Sequence, residues 1–461
     1  MFNKEVYLNR RNKLKNQLSG GVLLFLGNSD VPFNYPANTF HFRQDSTFLY
    51  LFGLDLPGFA GIIDLDSGED ILFGNDIDMD DIIWMGFQPS VKDFAAKTGI
   101  VITHAYDKLA DYLIMVQQQN RRIHYVNPYR SEIKIQLEKL INVPVSQQKE
   151  NQSEALIKAL VSLREIKEHI EIEEIESALG TAFLMHTTAM RMANSGVPEQ
   201  EIAGYIEGIA LANGGPVSFP VILSMDGQIL HNHNHNAILA NGRLLVVDAG
   251  CETKRHYASD ITRTTPVDRK FSQQQREIYQ AVLDANLKAI EMCKPDIAYK
   301  QIHLAAAHSI AQSLKDIGLM KGNIEDAVNQ GAHALFFPHG LGHPMGLDVH
   351  DMENYGENFV GYNNTIERSQ QFGLAFLRFG KPLKKGMVMT IEPGCYFIPA
   401  LIDQWKSENK FSEYINYPLV ETYKNFGGIR IEDDVVITDG GCRVLGIPIP
   451  KEILEIENIL A

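Results

Sequence analysis

Short apolar runs separated by amphipathic stretches organise the first third of the chain. They are Gly21-Val22-Leu23-Leu24-Phe25-Leu26, Gly61-Ile62-Ile63-Asp64-Leu65, Asp70-Ile71-Leu72-Phe73 and Arg122-Ile123-His124-Tyr125-Val126. Runs of this length, rich in β-branched and aromatic residues, predict the strands of a small α/β domain. The polar stretch at 146–152 has too few apolar residues to belong to a core, which sets the expected domains at 1–152 and 153–461. Beyond it the period lengthens. Glu171-Ile172-Glu173-Glu174-Ile175-Glu176-Ser177-Ala178-Leu179 spaces its apolar residues three and four apart, and helices are predicted over 153–164 and near 168–194. Ser195-Gly196-Val197-Pro198 stops the second helix. Glu199 and Glu201 then open another, with acids in the first turn where the helix dipole favours them. Ser272, with Gln275 three residues on, predicts a capped helix running to about Met292. Strand-like runs at 243–248 and 262–267 lie between these helices, so the second domain is mixed, with helices packed on antiparallel strands. The expected fold class is α+β.

With 461 residues the chain has room for two cores, and 45% hydrophobic with 21% charged residues describes an ordinary globular enzyme. The longest apolar runs are strand-sized, short of the roughly 20 residues of a membrane span. The polar start, Met1-Phe2-Asn3-Lys4-Glu5, lacks the apolar core of a signal peptide. A cytoplasmic location and no membrane partner are therefore expected. A net charge of -15 would repel a phosphate backbone, so no nucleic-acid partner is expected either. The four scattered cysteines form neither a disulfide framework nor a zinc knuckle.

Five positions stand at the ends of strand-like runs, three of them beside glycine or proline punctuation: Asp248 in Val-Val-Asp-Ala-Gly, Asp260 in Ala-Ser-Asp-Ile-Thr-Arg-Thr, His343 in His-Gly-Leu-Gly-His-Pro, Glu392 in Thr-Ile-Glu-Pro-Gly, and Glu432 in Ile-Arg-Ile-Glu-Asp-Asp. Any one of them alone reads as a turn former. Together, four carboxylates and one imidazole match what two divalent ions need while leaving room for a bridging water.

In order along the chain these motifs resemble the pita-bread metallopeptidase family, and within it the Xaa-Pro group of aminopeptidase P and prolidase. The resemblance is strong over about 156–450. In the first domain it is carried mainly by Phe42-Arg43-Gln44-Asp45-Ser46-Thr47-Phe48-Leu49-Tyr50-Leu51-Phe52-Gly53. It implies a C-terminal pita-bread (creatinase/aminopeptidase-like) domain after a smaller α/β N-terminal domain. It also implies two divalent ions, expected to be manganese, held by Asp248, Asp260, His343, Glu392 and Glu432. His231, His339 and His350 correspond to pocket histidines outside the ligand set. The implied reaction is hydrolysis of the Xaa-Pro bond at the N-terminus of proline-containing peptides by a metal-bridging hydroxide. Glu392 would shuttle the proton while His350 and His231 bind the peptide and stabilise the oxyanion. Prolidase, which takes only dipeptides, is the alternative. A non-catalytic peptide-binding protein of the same fold would require lost ligands, and none is lost. A homodimer or higher homo-oligomer is expected.

Two departures from the family pattern bear on the site. The step from Asp248 to Asp260 is one residue longer than usual, attributed to an enlarged hairpin tip at 254–257. A slipped strand would instead turn Asp260 to the wrong face. The longer segment at 351–379 is expected to form a lid or a subunit contact. Among other candidates, Arg430 is read as a guanidinium that orients ligand carboxylates. Arg378, in Leu-Arg-Phe-Gly-Lys, resembles the arginine with which prolidases hold the substrate carboxylate, and it competes with the reading of a solvated surface residue. Alternate histidines in His231-Asn232-His233-Asn234-His235-Asn236 share a face, yet His233 and His235 are expected at the mouth or surface rather than on metal. Trp84 and Trp405 are expected in core or interface packing.

Overall fold

The computed structural model describes residues 1–267 and 269–459. Two compact units emerge from its contacts: Met1–Arg164 with Asn354–Phe359, and Glu165–Glu353 with Val360–Ala461.

The first unit is built on five strands, β1 (Val22–Leu26), β2 (Ala60–Asp64), β3 (Asp70–Phe73), β4 (Ile102–His104) and β5 (Ile123–His124). Their order in the sheet is β4-β3-β2-β1-β5, antiparallel at the centre and parallel at both edges. Because side chains alternate along a strand, Val22, Leu24, Ala60, Ile62, Ile71 and Phe73 share one face. They pack there with α2 (Lys108–Gln118) and α3 (Ser131–Ile141), after α1 (Lys4–Lys15) has opened the chain. Arg11 of α1 is fully buried, because its guanidinium donates to Asp70 Oδ2 at 2.8 Å, Leu51 O at 2.8 Å and Thr98 O at 2.7 Å. With burial on both faces, the strands read as continuous apolar runs.

After α4 (Glu154–Arg164), the second unit begins with α5 (His169–Met192) and α6 (Glu199–Ala212), close to their predicted spans. These two helices cover one face of the antiparallel strands β6 (Ile222–Ser224), β7 (Leu244–Ala249) and β8 (Ile261–Pro266), burying Leu223, Leu245, Val247 and Ala249. A second helix pair, α7 (Gln273–Met292) and α8 (Tyr299–Asp316), packs in the same way on β9 (Val388–Ile391), β10 (Gly394–Tyr396), β11 (Gly428–Arg430) and β12 (Asp433–Ile437). The predicted capping box opens α7: Ser272 Oγ accepts from Gln275 N at 3.2 Å, and Gln275 Oε1 accepts from Ser272 N at 2.9 Å. Every strand pair described in this unit is antiparallel.

The tryptophans part ways. Trp405 is buried in the core, whereas Trp84 is 86% exposed on the helix Met79–Met85.

Candidate metal centre

The β7–β8 hairpin pairs Asp248 with Thr262 and Ala249 with Ile261. Asp248, Thr262 and Asp260 therefore project from one face, away from the Val247 and Ala249 side that packs on α5 and α6. At the tip of this hairpin Thr253 N donates to Tyr257 O and His256 adopts φ 65. Gly250 is required beside it, since a Cβ there would lie 1.8 Å from Ser259 O.

A second antiparallel pair, β9–β12, sets Thr390 opposite Asp434. Glu392 and Glu432 continue the same alternation just beyond it. Glu432 N donates to Thr262 O at 3.0 Å, and Thr262 Oγ donates to Glu432 Oε2 at 2.8 Å, which brings the two sheets' acidic faces together. His343 arrives on a loop running along β9: its N donates to Thr390 Oγ at 3.1 Å and its carbonyl accepts from Thr390 N at 3.0 Å. That approach needs Gly342, where a Cβ would lie 2.2 Å from Thr390 O.

Asp260, His343 and Glu432 each present a donor atom within 4.8 Å of the others. Asp248 and Glu392 lie outside that tight trio but line the same cavity of about 760 Å³. His343 Nδ1 lies 3.1 Å from Pro344 O, a hydrogen bond that leaves Nε2 facing Asp260 Oδ2 at 3.4 Å and Glu392 Oε1 at 3.8 Å. Burial holds this imidazole neutral, well below its ordinary value. Burial also pushes Asp260 and Glu432 far above the carboxylate range, reinforced by their acidic neighbours, and raises Glu392 to about 8. Asp248 Oδ1, Asp260 Oδ1 and Glu432 Oε1 are buried with no hydrogen-bond partner among the described residues. Orphaned carboxylate oxygens crowded around a neutral imidazole lone pair are a donor set that fits divalent cations.

Arg430 is buried behind the acids. Its guanidinium donates to Asp248 Oδ2 at 2.6 Å, Thr262 Oγ at 3.0 Å and Tyr396 OH at 3.0 Å. His339 Nδ1 is 2.8 Å from Gly340 O and its Nε2 is 2.8 Å from Tyr396 OH. His350 stands against His343 with ring centroids 4.1 Å apart, and its Nδ1 is 2.6 Å from Glu353 Oε2. His231 and Arg378 also line the cavity, and Arg378 Nη1 pairs with Glu353 Oε1 at 2.7 Å. His235 instead places its Nδ1 3.0 Å from Leu223 O, and His233 sits at the cavity edge with its Nδ1 3.3 Å from Val221 O.

Sequence reasoning missed Asp434, Tyr396 and Glu353. Asp434 Oδ2 accepts from Asp260 N at 3.2 Å, and its Oδ1 is another orphan. Its two-residue spacing from Glu432 was the available signal. Asp433 points the other way, to Arg263 and Lys451.

Residues 173–439 match the model of metallopeptidase family M24, and residues 7–124 match that of the aminopeptidase P N-terminal domain. A human Xaa-Pro dipeptidase is 28% identical over 96% of this chain and 89% of its own length. A probable Xaa-Pro aminopeptidase of Fusarium vanettenii is 30% identical over 91% and 88%. Among solved structures, an Escherichia coli aminopeptidase P in complex with substrate is 26% identical with a TM-score of 0.81, covering 100% of this chain and 98% of its own. A Pseudomonas aeruginosa aminopeptidase, PepP, reaches 0.82 at the same identity and coverage. The chain belongs to metallopeptidase family M24, with the two-domain aminopeptidase P fold and its pita-bread C-terminal domain.

Proposed function

We propose that the chain is a dinuclear-metal exopeptidase that hydrolyses the Xaa-Pro bond at the N-terminus of peptides. The observation that carries this reading is the convergence of Asp248, Asp260, His343, Glu392 and Glu432 on one cavity, with three carboxylate oxygens lacking a hydrogen-bond partner among the described residues. Two divalent cations, manganese by preference, would supply Lewis-acid polarisation of the scissile carbonyl and acidify a water. Arg430 fixes Asp248 through Oδ2, leaving Oδ1 for the cation. Glu392, which lines the cavity with its Oε1 3.8 Å from His343 Nε2, is placed to take a proton from that water and pass it to the departing amine. His350 Nε2 and the half-exposed His231 supply donors for the peptide carbonyl and the oxyanion. His339, braced by Tyr396, adds an apolar-edged wall with Phe337, whose ring centroid is 4.9 Å from its own.

A prolidase reading is favoured by one observation, Arg378 at the cavity wall, where it would clamp the carboxylate of an Xaa-Pro dipeptide. Hydrolysis of an Xaa-Pro dipeptide compared with an Xaa-Pro-Pro tripeptide, with and without manganese, tests both readings. Cleavage of the tripeptide supports the aminopeptidase, cleavage of the dipeptide alone the prolidase, and metal-independent cleavage overturns the cation centre. The exposed Ile83, Trp84 and Phe87 support assembly into a homo-oligomer, and four free cysteines support a reducing, cytoplasmic setting.

A further inference from the structure

Glu353 touches two of the cavity's substrate-facing side chains without lining the cavity itself. Its Oε2 lies 2.6 Å from His350 Nδ1 and its Oε1 lies 2.7 Å from Arg378 Nη1. Both partners line the cavity. The site is thus spanned by a bridge of three residues in which one carboxylate is shared between the candidate oxyanion donor and the candidate carboxylate clamp.

Each half of this bridge has its own chemical consequence. On the His350 side, an acceptor on Nδ1 fixes the ring and turns Nε2 towards the cavity, as a carboxylate does for any working imidazole. On the Arg378 side, the effect is competitive. A guanidinium binds a carboxylate best through two parallel N–H donors, and Glu353 already occupies one of its terminal nitrogens and neutralises its charge. A dipeptide bringing its own carboxylate to Arg378 meets a partner already engaged and a like charge beside it. A longer peptide has a neutral peptide group at that point and meets neither obstacle.

We propose that Glu353 is a positioning residue that sets the length preference of the enzyme: it orients His350 for every substrate and, by engaging Arg378, disfavours those whose carboxylate follows proline directly. This rests on the Xaa-Pro reading of the site given above. It makes Arg378 a clamp held partly closed by the protein's own acid, and it assigns the balance between dipeptide and longer-peptide use to a residue outside the cavity lining.

The test is steady-state kinetics of the manganese-loaded full chain on an Xaa-Pro dipeptide and the matched Xaa-Pro-Pro tripeptide, for wild type, Glu353→Gln, Glu353→Ala, Arg378→Ala and the Glu353→Gln/Arg378→Ala double variant. Gln keeps a carbonyl acceptor for His350 and removes the charge from Arg378. Glu353→Gln should therefore lower the dipeptide KM about fivefold, the scale of a half-exposed ion pair, and leave the tripeptide KM within about twofold. Ala should show the same KM shift together with a fall in kcat of about tenfold on both substrates, because the Nδ1 partner is gone. In the Arg378→Ala background the Glu353→Gln change should have no effect on the dipeptide. A dipeptide KM that rises in Glu353→Gln, a parallel shift for both substrates, or an effect that survives without Arg378 would overturn the proposal. So would equal kcat values in the Gln and Ala variants. Calorimetric binding of L-proline against L-prolinamide reads the same charge without turnover: Glu353→Gln should tighten proline alone. If wild type cleaves neither peptide the hydrolytic reading falls, whereas proline tightening by itself still decides the Glu353–Arg378 coupling.

Discussion

Two residues that meet in the cavity should fail in different ways when altered. Glu432 offers an orphaned Oε1 among the acids, whereas His350 touches His343 edge to face and has its Nδ1 occupied by Glu353. Glu432→Gln should reduce turnover by more than about a hundredfold with part of the bound metal lost, because an amide cannot replace a ligating carboxylate. His350→Ala should lower kcat by about a hundredfold while metal content, measured by elemental analysis, stays at the wild-type value. Metal loss in the second variant would shift the ligand set. At this scale the sequence was most legible where chemistry coincided with punctuation. Asp248, His343 and Glu392 each sit within two residues of a glycine or proline that a close backbone approach or a strand end requires. Asp434 escaped because Glu-Asp-Asp reads as a turn. Glu353 escaped because its meaning depends on Arg378, a partner that no local periodicity brings near.

At the level of the element, the sequence pattern anticipated α4, α5, α6 and α7 and the strands β7 and β8, because local signals decide them. The Ser272–Gln275 box is the clearest case, and it has a measurable cost. Ser272→Ala removes the acceptor for Gln275 N at the head of α7, and should destabilise the protein by about 1 kcal/mol. In urea the midpoint should fall with the slope unchanged, and a midpoint equal to wild type would show that the cap contributes nothing. What local pattern could not reveal is the joining of β8 to β11. Thr264 Oγ donates to Arg430 O at 2.9 Å and Thr262 Oγ to Glu432 Oε2 at 2.8 Å, contacts between residues 166 and 170 positions apart. Nothing in either segment names the other.

For the molecule as a whole, acid stability depends partly on histidines that burial in the core holds neutral. His303 on α8 is fully buried against His333 and Phe337, with no hydrogen-bond partner among the described residues on either ring nitrogen, and burial lowers its pKa to about 3. The unfolded chain protonates this ring near pH 6.5, the folded chain only near 3, so between those values the unfolded state binds the extra proton. The stabilising contribution is complete above about pH 6.5 and declines as pH falls towards 3. His303→Leu should therefore flatten the decline of unfolding free energy between pH 6.5 and 4 relative to wild type, measured by denaturant titration at several pH values. Identical slopes would show that His303 is already charged in the fold.

The distance in sequence between the two acidic faces has a temporal side. Asp248 and Asp260 leave the ribosome long before Glu392 and Glu432, and the contact between Thr262 and Glu432 spans 170 positions. A nascent chain therefore carries only two of the five candidate donors until His343 is made, and three until Glu392 follows. Proteolytic capacity assembled in this way is withheld from unfinished chains, and it comes into being only when the last strands close over the first.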